Sequence, residues 1–512
     1  MKSVTVLVPM VWPAGRNRAG RLPGHSDDVP LESPCSRLRK TIDMATIDDI
    51  ATKITGAHLI EWGHRPGPAF ADMLARANAA HAGGMDLAQI RASLVPDLPP
   101  PHLPLQEGGT VPLHVSMRAE NEDETTNLNK VLATMREVLR TPTVDSGAVM
   151  PDACPSGPLG TIPVGGIVAT RNAIHPGMHS ADICCSVMMT DLGSADPKAV
   201  LDAASAITHF GPGGRVDSSH FPLPDGLLDA FRANPFLRQD NVVRAAQTHM
   251  GTQGDGNHFL FVGRSRSTGR TVMVTHHGSR GPGGHLYKVG MKVAERYRRQ
   301  LSPATLPQNA WIPADTEDGR AYWEALQLAR KWTKANHTAL HHAISTAVQA
   351  SVVDRFWNEH NFVFERDGLF YHGKGATPAW GSYADDASGR VIIPLNMAEP
   401  VLIARGKDAA HALGFAPHGA GRNFTRTEHR RRMGAITPEA QLAAETQGLD
   451  VRFYGGEVDT SELPSSYKRA DAVVEQIGAY GLAEIEDYID PFGCIMAGNM
   501  PYRGKKRRPR AA

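Results

Sequence analysis

Five cysteines in 512 residues (Cys35, Cys154, Cys184, Cys185 and Cys494) are too sparse, and odd in number, for a disulfide framework. The neighbours Cys184 and Cys185 are poorly placed to bridge each other, so free thiols and a reducing, cytoplasmic setting are expected. No apolar run reaches the roughly 18 residues of a spanning helix, so no membrane partner is expected. The short apolar patch after Lys2 is interrupted by Pro9 and Pro13 and is a weak signal-peptide pattern. Neither sign of charge dominates: 54 Lys plus Arg against 53 Asp plus Glu leave a net charge of +1. That excludes a polycation coating nucleic acid but allows a local basic groove. There is no fixed-period repeat, no GxxxxGK[ST] phosphate loop, and no HExxH or CxxC spacing.

What is present is organised in stretches. Residues 1–43 are rich in Arg, Pro, Gly and Ser with little periodicity, so they are expected to be disordered. They would not be translated at all if synthesis starts at Met44. Residues 44–104 carry helical patterns, for example over 69–76, and end in the proline cluster LVPDLPPPHLPL (94–105), an extended linker. Apolar spacing predicts a helix over 125–140. From about residue 145 short β-rich runs alternate with Gly/Pro turns: GTIPVGGIVAT, TVMVTHHG, GRVIIPLNM and EPVLIARG. Helices are predicted over 283–300, 320–350, 437–447 and 470–486. This mixture predicts an α+β fold, one large domain over 105–500 with mixed and antiparallel sheets around a central cleft. Residues 501–512 form a basic tail, either a solvated end or a phosphate-contacting arm.

The residues with chemistry stand where strand-like runs meet glycine turns. In HSADICCS (179–186), Asp182 and Cys185 can face one centre if the backbone turns between them. A carboxylate with a thiolate suits Mn, Fe or Zn, and a thiolate can bridge two ions. The bland alternative is buried cysteines acting as small hydrophobes. GTQGDGNHF (251–259) displays Asn257 and His258 at the start of an apolar strand. THHGSRG (275–281) delivers His276 into a glycine turn, with Arg280 as a surface salt bridge or an oxyanion contact. NEHNF (358–362) offers His360, and PHGAGR (417–422) places His418 in a loop whose backbone N–H groups can cradle a phosphate.

These segments, in this order, resemble the RtcB family of RNA ligases, whose pattern runs roughly PDxH, GxDIGCG, GTxGxGNHF, HSGSRG, HHN, SHGAGR. HGKGATPA (372–379) and SYKRADAV (466–473) also look like family segments, and the likeness covers about residues 145–498. The resemblance implies an RtcB-like catalytic domain built around a metal cleft. The implied reaction joins an RNA 3′-phosphate or 2′,3′-cyclic phosphate to a 5′-hydroxyl, using GTP and two Mn²⁺ ions, in RNA repair or tRNA processing. It implies that Asp182, Cys185, His258, His276 and His360 hold the metals, with Cys185 shared between the two. His418 is the implied nucleophile that takes GMP from GTP, and Asp152 in MPDACPSG matches a family acidic residue near the site, an implied catalytic group. Asn257, His360, Asn361, Asn396, Met397, His418, Gly419, Ala420 and Gly421 are the implied nucleotide contacts. Arg280 and Arg422 are candidates for RNA phosphates, and many family members work with a small activator, archease.

The chain departs from the pattern around these positions. Cys184 replaces the glycine before the metal cysteine, Cys154 the histidine of PDxH, and Glu359 the first histidine of HHN. Phe261 stands where an acidic residue follows NHFx, Asn396 stands in the PGSM segment, and Val401 replaces a serine. Ala497-Gly498 lacks the terminal lysine of the pattern, for which Lys505 or Lys506 would have to substitute. Two alternatives therefore stand beside the ligase: a metal-dependent phosphoesterase acting on such RNA ends without nucleotide, and a noncatalytic RNA-end binder.

Overall fold

The computed structural model describes residues 53–67, 69–98, 101–219 and 221–499. The expectations for residues 1–43, for Met44, and for the tail with Lys505 and Lys506 lie outside these. The chain divides into two compact units, Met1–Pro99 and Pro100–Ala512, with the boundary inside the proline cluster.

In the first unit the described residues form three helices, Gly56–Glu61, Phe70–Ala82 and Leu87–Leu94. Their apolar faces meet in a small core of Ile54, Leu59, Met73, Ala77, Ile90 and Leu94. Asp86 starts the third helix with a reciprocal cap: its carboxylate accepts the Gln89 N–H, and the Gln89 side chain accepts the Asp86 N–H.

The second unit is built on two sheets. One has five strands in the order Leu113–Val115, Val144–Cys154, Val164–Arg171, Leu369–Lys374, Asn361–Arg366. The other runs Arg390–Pro394, Val401–Gly406, Ala483–Met496, Phe259–Ser265, Thr271–His277, Ser186–Asp191, Asp354–Glu359, with Asp450–Phe453 added parallel to Ala483–Met496. Pairing is otherwise antiparallel except between Leu113–Val115 and Val144–Cys154. The central strands, such as Thr271–His277, are buried throughout, which fits the apolar run Val272-Met273-Val274 at the heart of that strand.

Long helices cover the sheets. Glu317–Ala347 starts at Thr316, whose hydroxyl accepts the Gly319 N–H, and carries Glu317 and Asp318 against the positive helix end. It buries Tyr322, Ala325, Ala329, Trp332, Asn336, Leu340 and Ile344, a stripe at three-to-four residue spacing. Arg280–Leu301, Glu122–Val138 and Pro438–Glu445 fall where the periodicity predicts helices. The predicted helix over 470–486 is shorter: it ends at Ala479, and residues 483–496 are a strand. Gly481, at φ +59°, turns the chain there, and the following residues pair with Val401–Gly406 and, from Ile489 on, with Phe259–Ser265.

Candidate metal and nucleotidyl-transfer site

The two sheets share a seam. The strand Asp354–Glu359 belongs to one sheet and Asn361–Arg366 to the other, with His360 the single residue between them. At the seam the His360 N–H donates to the Cys185 carbonyl, and the Ala376 N–H donates to the His360 carbonyl. Cys185 immediately precedes the strand Ser186–Asp191, whose neighbours on either side, Thr271–His277 and Asp354–Glu359, bring His276 and His360 close. Phe259 pairs with His276, which sets His258 at the end of the adjacent strand.

The donor atoms converge. Cys185 Sγ lies 3.0 Å from His276 Nε2 and 3.5 Å from His258 Nε2. His258 Nε2 lies 3.0 Å from Asp182 Oδ2, and His276 Nε2 lies 3.2 Å from His360 Nε2. His258 Nδ1 is 2.6 Å from the Gln253 carbonyl and His276 Nδ1 is 3.1 Å from the Asn257 carbonyl. A carbonyl only accepts, so each Nδ1 carries the proton, and in the neutral imidazole each Nε2 presents a bare lone pair. Burial pushes the pKa of His276 down to about 3, so this ring is neutral at ordinary pH. Lone pairs facing a sulfur and a carboxylate repel unless a proton or cation lies between them. Burial also pushes the Cys185 thiol well above its ordinary range, a tendency that a coordinated cation reverses. Burial opposes ionisation of Asp182, but positive charge at His258 Nε2, the place a proton or a cation between the two would take, holds the carboxyl below its usual value. The donor set fits a divalent ion, and the backbone carbonyls orient the rings as second partners of metal-binding histidines do.

His418 stands beside this cluster, its ring centroid 4.8 Å from that of His360. Its Nδ1 lies 2.6 Å from Oδ2 of Asp152, a fully buried carboxylate that also accepts the His418 backbone N–H at 3.3 Å. Asp152 sits on Val144–Cys154, where Lys468 donates to the carbonyls on either side of it, those of Pro151 and Ala153. Two glycines allow the approach. A Cβ on Gly421 (φ +71°) would lie 2.0 Å from the Asp152 carbonyl oxygen, and one on Gly375 (φ +63°) would lie 2.8 Å from the His418 ring.

A cavity of about 320 Å³ opens onto these groups. It is lined by Asp182, Cys185, His276, His360 and His418, and also by Asn257, Asn361, Asn396, Met397, Gly419, Ala420, Gly421 and Arg422. His258 and Asp152 sit behind it, in contact with Asp182 and His418. Arg280 is not on the lining. Its guanidinium donates to the Gly211 and Gly213 carbonyls and to Thr252 Oγ1, so it ties loops together; it is neither a surface salt bridge nor aimed into the cavity. Arg422 lines the cavity with Glu462 and Tyr467 as partners, 2.6 and 3.0 Å away.

Four lining residues with charged or phenolic side chains escaped sequence reasoning: Lys374, Arg426, Glu462 and Tyr467. Lys374 donates to Ser156 Oγ and the Ile162 carbonyl, and burial pushes its pKa down to about 8. The lysine flanked by glycines in HGKG, ending an apolar strand, was a usable signal. Glu462 had none, because its partners Arg422 and Arg426 are 36 to 40 residues away.

A family model described as tRNA-splicing ligase RtcB matches residues 229–497, just over half of the 512 residues. The chain belongs to the RtcB family. RtcB proteins are enzymes, and the matched stretch holds His258, His276, His360 and His418, while Asp152, Asp182 and Cys185 precede it. The chain is 28% identical over 352 residues to the RNA-splicing ligase RtcB1 of Escherichia coli (strain ATCC 25922), a match covering 61% of this chain and 81% of that protein. It is 25% identical over 321 residues to the tRNA-splicing ligase RtcB of Archaeoglobus fulgidus, covering 52% and 63% respectively. Against the Pyrococcus horikoshii protein of the same name the match is 25% over 302 residues, 51% of this chain and 34% of the relative. The matched region is thus under two thirds of the length of the two archaeal proteins.

Two departures from the RtcB pattern leave a mark on the structure. Glu359 is fully buried and ion-paired with Arg330 of the Glu317–Ala347 helix. Burial raises its pKa and Arg330 opposes that. Cys184, in place of glycine, is held at φ +55°, a left-handed conformation that costs a side-chain-bearing residue about 1–2 kcal/mol. No helix among the described residues is long and apolar enough to cross a membrane.

Proposed function

We propose that this chain is an RNA ligase that joins an RNA 3′-phosphate or 2′,3′-cyclic phosphate to a 5′-hydroxyl through a nucleotidyl group carried on His418, with Mn²⁺ and GTP as the metal and donor the family resemblance implies. The observation that carries this reading is the Asp152–His418 pair set beside the convergent metal donors.

Asp152 Oδ2 accepts from His418 Nδ1, which keeps the proton on that nitrogen and leaves the Nε2 lone pair for attack. That lone pair forms a bond to the α-phosphorus of the nucleoside triphosphate, the bridging P–O bond breaks, and pyrophosphate leaves with the electron pair. The nucleotidyl group then passes to the RNA 3′-phosphate, whose attack restores His418. The 5′-hydroxyl attacks the activated phosphorus and nucleoside monophosphate leaves. Asp182, Cys185 and His258 would hold one divalent ion, and Cys185, His276 and His360 the other. Bound there, the ions would neutralise triphosphate charge and activate water to open a cyclic phosphate.

A noncatalytic RNA-end binder would have no use for a histidine oriented by a buried carboxylate, whereas a phosphoesterase could use one as a general base, so a covalent label on His418 is what separates the ligase from it. The test is incubation of the protein with MnCl₂ and α-labelled GTP or ATP, followed by a denaturing gel. A covalent label lost in His418→Ala is expected. Hydrolysis of a 2′,3′-cyclic phosphate without any label would instead establish the phosphoesterase. The same preparation, given RNA with defined ends, with and without an archease-like activator, reads the end chemistry and any activator dependence.

A further inference from the structure

The cavity has an apolar end. Phe259 and Phe261 alternate onto one face of their strand, and in the neighbouring strand Met496 pairs with Phe259 and Cys494 with Phe261. Phe259 packs 5.3 Å from the His276 ring, so this wall begins at the metal donors and continues away from them to Phe261. Met397 and Val401 join Phe261, Cys494 and Met496 in one buried cluster. Two carboxylates are on the lining, Asp182 and Glu462. Asp182 faces His258, and Glu462 is taken up by Arg422, Arg426 and Tyr467. The side-chain oxygen of Asn361 accepts the Gly375 N–H, and that of Asn396 accepts the Ala398 N–H.

Guanine is distinguished from adenine by adjacent N–H donors on one edge, N1–H and the 2-amino group. A site that reads them needs an acceptor, best a carboxylate, aimed at that edge. Such a site rejects a base lacking the donors because its own buried polar atoms would go unpaired, whereas an apolar slot separates ligands mainly by size. We infer that the apolar end bounded by Phe261, Met397, Val401 and Cys494 holds the donor's base by contact and shape, so that adenine and guanine nucleoside triphosphates serve alike. This rests on the nucleotidyl-transfer reading above. The step is the same for either base: His418 Nε2 bonds to the α-phosphorus, pyrophosphate departs with the electron pair, and Asp152 retains its hydrogen bond to the Nδ1 proton.

The test measures the rate of covalent labelling of the full chain with α-labelled GTP and with α-labelled ATP, each with MnCl₂ and a His418→Ala control. Rates within about a hundredfold of each other, the range an apolar pocket allows between ligands of similar size, are expected. A preference larger than that for either purine overturns the inference and leaves nucleotidyl transfer standing. No label from either nucleotide removes the transfer reading, and this inference with it. Phe261→Glu adds an acceptor at the apolar end and is expected to raise the GTP-to-ATP ratio at least tenfold. An unchanged ratio in a variant that keeps its far-UV circular dichroism places the base elsewhere and overturns the inference. If the variant does not fold, the native ratio decides.

Discussion

Because a carboxylate oxygen only accepts, the 2.6 Å contact between Asp152 and His418 selects the tautomer with its proton on Nδ1. Asn at position 152 can present its amide N–H₂ instead, which moves the proton to Nε2 and blocks the attacking lone pair. Asp152→Asn is expected to slow covalent labelling by about 10²–10⁴-fold. Mn²⁺ affinity, measured by calorimetry, should stay unchanged, because the donor set is untouched. A labelling rate equal to the parent's would show that the carboxylate does not set the tautomer. Lys374 makes a different prediction. The unfolded chain holds its ammonium proton to about pH 10.5 and the folded chain only to about 8. Folding therefore works against this group at neutral pH by on the order of 3 kcal/mol, and stability rises as pH climbs from about 8 to 10.5. Lys374→Met should unfold at a higher temperature than the parent at pH 7, and the gain should shrink by pH 10. A pH-independent difference in thermal melts would contradict this.

At the level of elements, the seam between the sheets is anchored from behind. Arg330, on the Glu317–Ala347 helix, pairs with Glu359, the residue before His360. Removing the guanidinium leaves a buried carboxylate without its counter-ion, so Arg330→Met should cost about 3–5 kcal/mol in chemical denaturation. The double variant Arg330→Met, Glu359→Met should recover most of that loss, because the cost lies in the unpaired charge and not in lost packing. The loop after the Phe415–Pro417 strand depends on a glycine. Gly421→Ala would place a Cβ against the Asp152 backbone, which cannot move as a side-chain tip would. A loss of about 2 kcal/mol or more is expected, together with slower labelling as His418 shifts from Asp152. Retained stability and rate would mean that the loop relaxes freely.

For the whole molecule, metal binding and folding are linked. Asp182 and Cys185 precede the Ser186–Asp191 strand, His258 and His276 come from two further strands, and His360 joins the two sheets. A cation shared among them binds the folded chain and not the unfolded one. Stripped protein given MnCl₂ at about 100 times its dissociation constant should gain about 2.7 kcal/mol, a rise of several degrees at most in the melting temperature. His258→Ala with His276→Ala should abolish the rise. An equal shift in that variant would locate the stabilising ion elsewhere.

The ordered motifs, HSADICCS, GTQGDGNHF, HHGSRG and PHGAGR, were legible in the sequence because each is a local device: donors at a strand end, beside glycines that admit close approach. Local periodicity likewise announced most helices and strands, since a buried face imposes its own spacing. It misread 483–486 as helix, because pairing with strands far away in sequence outweighs a few residues of local preference. What only the tertiary structure decided are relations across long separations. The Asp152–His418 pair spans 266 residues, Glu462 is neutralised by arginines in another segment, and Arg280 proved to be spent on loop carbonyls. The physical reason is that the chemical identity of a donor is written in one residue. Which lone pair faces which proton depends on how strands from both sheets meet at His360.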